Sequence, residues 1–253
     1  MDVAELVADD RVDAVAVDTA DDALLDEVPA LRRAGLLVLL TGPLVRDPAR
    51  LRAIRQVADA PDLAVALSRR WEPWARLVTA ALPMAGEVRQ VTVRGWPRGE
   101  RETAELTDLL TAWCGELVAA CAGDAVPVPV LPDGATVSWS VLTATGATVL
   151  VSHDGAPQGS PLVRLSSATA RLDAGPDRVR WDGGAELPLP AGGLGRVNGL
   201  MLTAAALRAA VGGLEVPTDD WPWPADLGDL TTVGRVLTAL EESARTGAPV
   251  RLA

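Results

Sequence analysis

The chain holds one histidine, two cysteines and no lysine, so few of its 253 side chains could move a proton or a group near neutral pH. His153 follows Thr148-Val149-Leu150-Val151-Ser152 at a predicted strand end, beside Asp154. A neighbouring carboxylate can tune an imidazole, and Ser152 is adjacent. Adjacent strand residues point to opposite faces, however, so Ser152, His153 and Asp154 make a poor triad. A surface hairpin residue is the competing reading. The missing lysine removes every side-chain ammonium and with it Schiff-base chemistry. Cys114 and Cys121 lie seven apart in what reads as one helix, ~10.5 Å along its axis. That exceeds the ~7 Å between Cα atoms that a disulfide tolerates, so both read as small core residues. No H-E-x-x-H, paired histidine or C-x-x-C occurs, and no dedicated metal site is expected. Gly192-Gly193-Leu194-Gly195-Arg196, before a predicted helix, could bind an anion with Arg196 assisting. A flexible loop and cap is the plainer reading.

Composition narrows the classes further. A hydrophobic share of 49% with 23% charged residues is that of a soluble globular protein. A formal charge of −11 argues against a nucleic-acid or anionic-membrane surface. No apolar run approaches the ~20 residues of a membrane span. Acidic residues, not a basic segment, follow Met1, so no secretory signal is expected and a cytoplasmic location is. Phe and Tyr are absent, and Ile54 and Asn198 stand alone for their types. All of these, like lysine, have A/T-rich codons, which points to a GC-rich bacterium. Aromatic packing falls to eight tryptophans, whose indole N–H groups need partners.

The elements that must position these residues emerge from periodicity. After a short helix over Asp2–Asp9, residues 11 to 85 alternate strand and helix, as a doubly wound parallel sheet does. Val12–Val17 reads as a strand buried on both faces. A helix runs from about Asp21 to Ala34 and ends at Gly35. Leu36–Leu40 is the next strand, stopping at Thr41-Gly42-Pro43. Asp47 can cap a helix with Pro48 at its first position, running to about Asp59. Leu63–Leu67 is a third strand, and Arg69–Trp74 turns into a helix around Ala75–Leu82. Beyond Gly86 the spacing predicts a strand over Val88–Val93 and one long helix over Glu102–Ala122. Residues 126 to 190 read as antiparallel strands with hairpins at Thr145-Gly146 and Asp182-Gly183-Gly184. Two helices, about Val197–Val211 and Asp226–Arg245, flank Trp221-Pro222-Trp223-Pro224. The fold class is therefore α/β: a partial Rossmann-like parallel sheet over 1–85, then an α+β domain with a large, mainly antiparallel sheet over 86–253.

This order of segments resembles the Gfo/Idh/MocA oxidoreductases, named for glucose–fructose oxidoreductase and inositol dehydrogenase. The resemblance rests on residues 12–17, Ala30–Leu39, Arg70-Trp71-Glu72-Pro73, Gly86-Glu87-Val88 and the closing segment Val236–Gly247. It covers nearly the whole chain and implies NAD(P)-dependent chemistry on sugars and polyols. Three working parts of that family do not carry over. No strand followed by G-x-G-x-x-G precedes residue 12, so the pyrophosphate cradle of the first half is missing and no cofactor is expected. The family's Glu-Lys-Pro falls on Thr41-Gly42-Pro43. Its catalytic histidine, counted back from Gly123, falls on Trp113, with Glu116 following. Trp113 also fits an apolar stripe with Leu106, Leu109, Leu110, Leu117 and Cys121.

Without its first half, the strand over Val12–Val17 would be an edge with unpaired backbone groups, guarded only by Asp13 and Asp18. Ten acidic side chains lie in the first 27 residues, either a solvated face or a docking rim for a basic partner. The leading expectation is a non-catalytic relative, an accessory subunit of a homo- or hetero-oligomer working through its open sheet and strand edge. The rival is an enzyme with NAD-independent isomerase, lyase or cyclase chemistry, using Asp108, Glu116 or Glu105 on a small molecule in a retained cleft. A third reading is an oxidoreductase whose N-terminal part lies outside this chain.

Overall fold

Three parallel strands and nine further strands form two separate sheets in the computed structural model, which describes residues 3–8, 11–41, 47–57, 63–123, 137–154, 161–182, 184–189 and 225–252. The chain divides into two compact units. One comprises Met1–Trp71 with Val197–Gly234, the other Glu72–Arg196 with Arg235–Ala253. The boundary expected near residue 86 falls inside the second unit, because the helix before it packs on that unit's strands.

The first unit contains α1 (Val3–Ala8), β1 (Ala14–Asp18), α2 (Asp22–Arg33), β2 (Leu37–Thr41), α3 (Pro48–Arg55) and β3 (Leu63–Val65). Its strands run in the order β1-β2-β3, all parallel, with Val15 opposite Val38 and Leu39 opposite Ala64. Both helix starts expected from sequence are present. Asp21 accepts from the Ala23 and Leu24 N–H groups, and Asp47 from that of Ala49, with Pro48 in the first turn. Gly35, at φ 85°, closes α2: its N–H reaches the Arg32 carbonyl and that of Leu36 reaches Leu31. This paired closure needs a left-handed residue, which glycine supplies without strain. Arg50 ties α3 to α2 through Asp22 and, at 3.1 Å, Asp26; the Asp22 hydrogen bond raises its guanidinium pKa. β2 is buried from Leu37 to Leu40. β1 is not the doubly buried strand expected: Ala14 and Ala16 are exposed and only Val17 is buried. An apolar run shows that a strand can be covered, whereas coverage depends on what packs against it.

The second unit contains α4 (Pro73–Ala85), β4 (Val88–Arg94), α5 (Glu100–Cys114), β5 (Leu117–Ala122), β6 (Trp139–Thr143), β7 (Thr148–Val151), β8 (Leu162–Ser167), β9 (Arg171–Gly175), β10 (Arg178–Trp181) and β11 (Ala185–Leu187). A final helix, α6 (Leu227–Thr246), begins in the first unit and ends in the second, followed by β12 (Val250–Arg251). The sheet order is β11-β10-β9-β8-β4-β7-β6-β5-β12, antiparallel except where β4 meets β7. Alternation puts Val91, Val149, Val163 and Val179 on one face, in a core shared with Trp74, Leu106 and Leu110 of α4 and α5. The single long helix expected to reach Ala122 is two elements. Gly115, at φ 78°, ends α5, and residues 117–122 become β5 paired with β6. Cys114 and Cys121 therefore lie on a helix and a strand, both buried and free. The Val197–Val211 helix, the Trp221–Pro224 segment and the Gly192–Arg196 loop lie outside the described residues.

Candidate functional site

In open parallel sheets, ligands bind outside the carboxyl ends of the strands. In the first unit those ends carry Asp18, Thr19, Thr41 and the 3-10 turn Ser68–Trp71. The two threonines lace adjacent strand ends together. Thr41 Oγ1 donates to the Val17 carbonyl at 3.2 Å, while Thr19 Oγ1 and N–H both donate to the Thr41 carbonyl, at 2.7 and 2.8 Å. Thr41 thus stands where the resemblance places the glutamate of Glu-Lys-Pro, with its hydroxyl directed at backbone; the lysine position, Gly42, lies outside the described residues. A nicotinamide dinucleotide needs backbone N–H groups for its diphosphate and a fixed reacting end. The described strand ends, with hydroxyls turned into the sheet and no ammonium, do not fit that group.

Arg70-Trp71-Glu72-Pro73 is explained by structure. Arg70 Nη2 lies 2.9 Å from Asp229 Oδ2. Asp229 also closes a reciprocal cap on α6: its N–H donates to Asp226 Oδ1 at 2.9 Å, and the Asp226 N–H donates to Asp229 Oδ2 at 3.1 Å. The Asp-x-x-Asp spacing before an apolar helix was the available signal for this cap. In the second unit, Glu72 accepts from Trp74 Nε1 and Pro73 opens α4.

Helix α5 holds most of the expected site residues and separates them. Trp113 packs: it is buried, its ring meets Trp74 edge-to-face with centroids 5.8 Å apart, and its Nε1 donates to Thr79 Oγ1 at 3.0 Å. Glu116 lies past the helix end and is exposed. Glu105 and Asp108 are buried one turn apart, on a different face of α5 from the Leu106, Leu110 and Trp113 row. Arg101 Nε lies 3.3 Å from Glu105 Oε1, a partner that sequence reading missed although its i, i+4 spacing was visible. The count that chose Trp113 ran back from Gly123 as the glycine after the helix. The helix stops at Gly115, and the same ten-residue interval counted from there gives Glu105.

His153 and its neighbours form no nucleophile pair. Its Nδ1 lies 2.9 Å from the Trp96 carbonyl. The buried Ser152 hydroxyl exchanges hydrogen bonds with the Asp154 backbone, donating at 3.2 Å and accepting at 3.1 Å. Burial pushes the Cys114 thiol up to about 12. Among the described residues, no group of three or more His, Cys, Asp or Glu could hold a metal ion, and no helix is long and apolar enough to cross a membrane.

Two surfaces remain. The second unit's sheet face opposite its core carries Arg164, bidentate to Asp173 at 2.6 and 2.9 Å. Arg171 lies 3.8 Å from the same carboxylate, Arg180 lies 3.5 Å from Glu186, and Leu142 is exposed. The first unit offers the outer edge of β1.

No protein-family model and no curated protein matches this sequence. Solved structures do. A levoglucosan dehydrogenase determined with NADH and L-sorbose superposes on the whole chain at TM-score 0.72 and 16% identity, with 83% of its own length covered. An oxidoreductase domain protein from Kribbella flavida gives TM-score 0.72 at 16% identity, covering 100% of this chain and 84% of that one. The WlbA dehydrogenase from Bordetella pertussis, determined with NADH and UDP-GlcNAcA, gives 0.70 at 16%, covering 100% and 83%. At such identities the likeness speaks for architecture, and the architecture of this chain is that of the Gfo/Idh/MocA-type oxidoreductases.

Proposed function

We propose that this protein is a non-catalytic relative of the dehydrogenases whose fold it shares, acting through protein contacts as a partner or accessory subunit. The observation that carries the reading is the segment Thr41-Gly42-Pro43 at the end of β2. Hydride exchange with an alcohol needs a group to take the hydroxyl proton and a fixed nicotinamide. Where the resemblance puts Glu-Lys-Pro, the lysine position is Gly42, which has no side chain, and the preceding Thr41 hydroxyl donates to the Val17 carbonyl. The bare edge of β1 and the arginine-bearing sheet face give the protein surface to work with. The test is the native mass of the chain purified from its own cells after mild crosslinking. A stoichiometric complex is expected; a lone monomer at physiological concentration contradicts the reading.

A second reading is favoured by one observation, the buried carboxylates Glu105 and Asp108 one helical turn apart. An NAD-independent isomerase or lyase would use Glu105 to take a proton, with Arg101 holding the carboxylate in place. Turnover of a sugar or polyol without nicotinamide, abolished by Glu105→Gln, would establish it over the first.

A further inference from the structure

We infer that the outer edge of β1 accepts an extended, basic-flanked segment of another polypeptide as a fourth strand of the first unit's sheet. The inference rests on the contact role proposed above and names the kind of partner. In a parallel ladder, alternate residues of a strand bond the same neighbour. The Asp13 carbonyl receives the Leu37 N–H at 3.0 Å, and the Thr19 N–H reaches the Thr41 carbonyl at 2.8 Å. Odd-numbered residues therefore serve β2. The N–H and C=O groups of Ala14 and Ala16 and the N–H of Asp18 point the other way, along an edge where all three residues are exposed, while the Asp18 carbonyl accepts from the Asp21 N–H at 3.2 Å.

Protein edges are normally blunted by a proline, a bulge, an inward charge or a covering element. Residues 14–17 are Ala-Val-Ala-Val, without any of the first three, and their pairing with β2 is regular. Two alanines leave the backbone sterically open to an incoming strand. Such augmentation takes its affinity from main-chain hydrogen bonds and its selectivity from flanking contacts.

Charge selects the occupant. Asp13 and Asp18 are exposed at the two ends of the edge, and the first 27 residues hold ten acidic side chains against one arginine. A second copy laid along β1 would bring the same carboxylates together, and like charges facing across strands destabilise the pair. Lysine or arginine on either side of an apolar-alternating strand complements them. Because these carboxylates are exposed, their attraction weakens with salt over a Debye length of ~8–10 Å.

The probe is a synthetic peptide of alternating valine and threonine with an arginine pair at each end, added to the full chain. Amide exchange and fluorescence anisotropy are read together. The expected result is slowed exchange at Ala14, Ala16 and Asp18. The dissociation constant should rise at least ~10-fold with Ala16→Pro, equivalent to ~1.4 kcal/mol. That substitution removes an outward N–H and spares the ladder to β2. N-methylating every second peptide amide should weaken binding equally, a readout independent of how the variant folds. Asp13→Lys with Asp18→Lys should weaken binding several-fold and flatten its salt dependence. Binding that ignores N-methylation, protection confined to other strands, or a β1-mediated dimer of the free chain would each overturn the inference. A native complex lost on Arg171→Glu but untouched by Ala16→Pro would overturn it too, while leaving the accessory reading standing.

Discussion

The two sheets of this protein solve the same burial problem to different degrees. The nine-stranded sheet packs its alternating valines against α4 and α5 around an edge-to-face tryptophan pair. The three-stranded sheet buries β2 and β3, yet leaves β1 exposed at Ala14 and Ala16. Closely similar apolar runs therefore end in opposite environments, and the difference lies in neighbours rather than residue type. A unit with a finished core can be read as scaffold. The first unit leaves β1 with an exposed apolar edge and no paired strand on its outer side among the described residues.

The contrast can be broken most forcefully at Trp113. Trp113→Ala removes the ring contact with Trp74 and the hydrogen bond to Thr79, and should destabilise the second unit by about 3–5 kcal/mol in urea denaturation. A loss under about 1 kcal/mol would mean the ring is not core. Leu39→Ala, in the buried centre of β2, should cost about 2–3 kcal/mol. Residue-resolved hydrogen exchange should place that loss in the first unit, at β2 and β3; an equal loss across both sheets would dissolve the distinction between them.

Smaller at neutral pH is the effect of the Cys114 thiol. Its pKa is raised from about 9 to about 12 by burial, so the folded state favours the neutral form. The associated stability is complete below about pH 9 and is lost as pH rises toward 12. Cys114→Ala should flatten that alkaline slope, and an unchanged slope would show that the thiol is not buried in solution. Smallest of all is Ala14→Lys, which places a charge on the exposed edge and should shift stability by no more than about 0.5 kcal/mol. A cost of about 2 kcal/mol or more would show that β1 is covered.

Local chemistry was the most legible part of the sequence. Asp47 caps α3 and Gly35 ends α2 as expected, and Asp21 and Asp226, expected as helix starts, turn out to cap α2 and α6. The error at α5 has a definite cause. Leu117 and Cys121 continue the helical spacing of Leu110 and Trp113, so periodicity alone extends the helix through Gly115. The glycine's positive φ ends it, and pairing with β6 makes residues 117–122 a strand. The same extension supplied Gly123 as the helix end from which the count reached Trp113. Burial of β1 was out of reach for another reason: composition shows what a strand can bury, while only tertiary pairing fixes what it does bury.

The central claim is that this chain does not hold a nicotinamide cofactor by itself. Calorimetric titration of the purified protein with NADH and with NADPH tests it directly. The account predicts no saturable heat up to ~1 mM, the upper end of ordinary enzyme KM values. A one-to-one isotherm with a Kd of ~10 µM or tighter, some −7 kcal/mol of binding free energy, would contradict it.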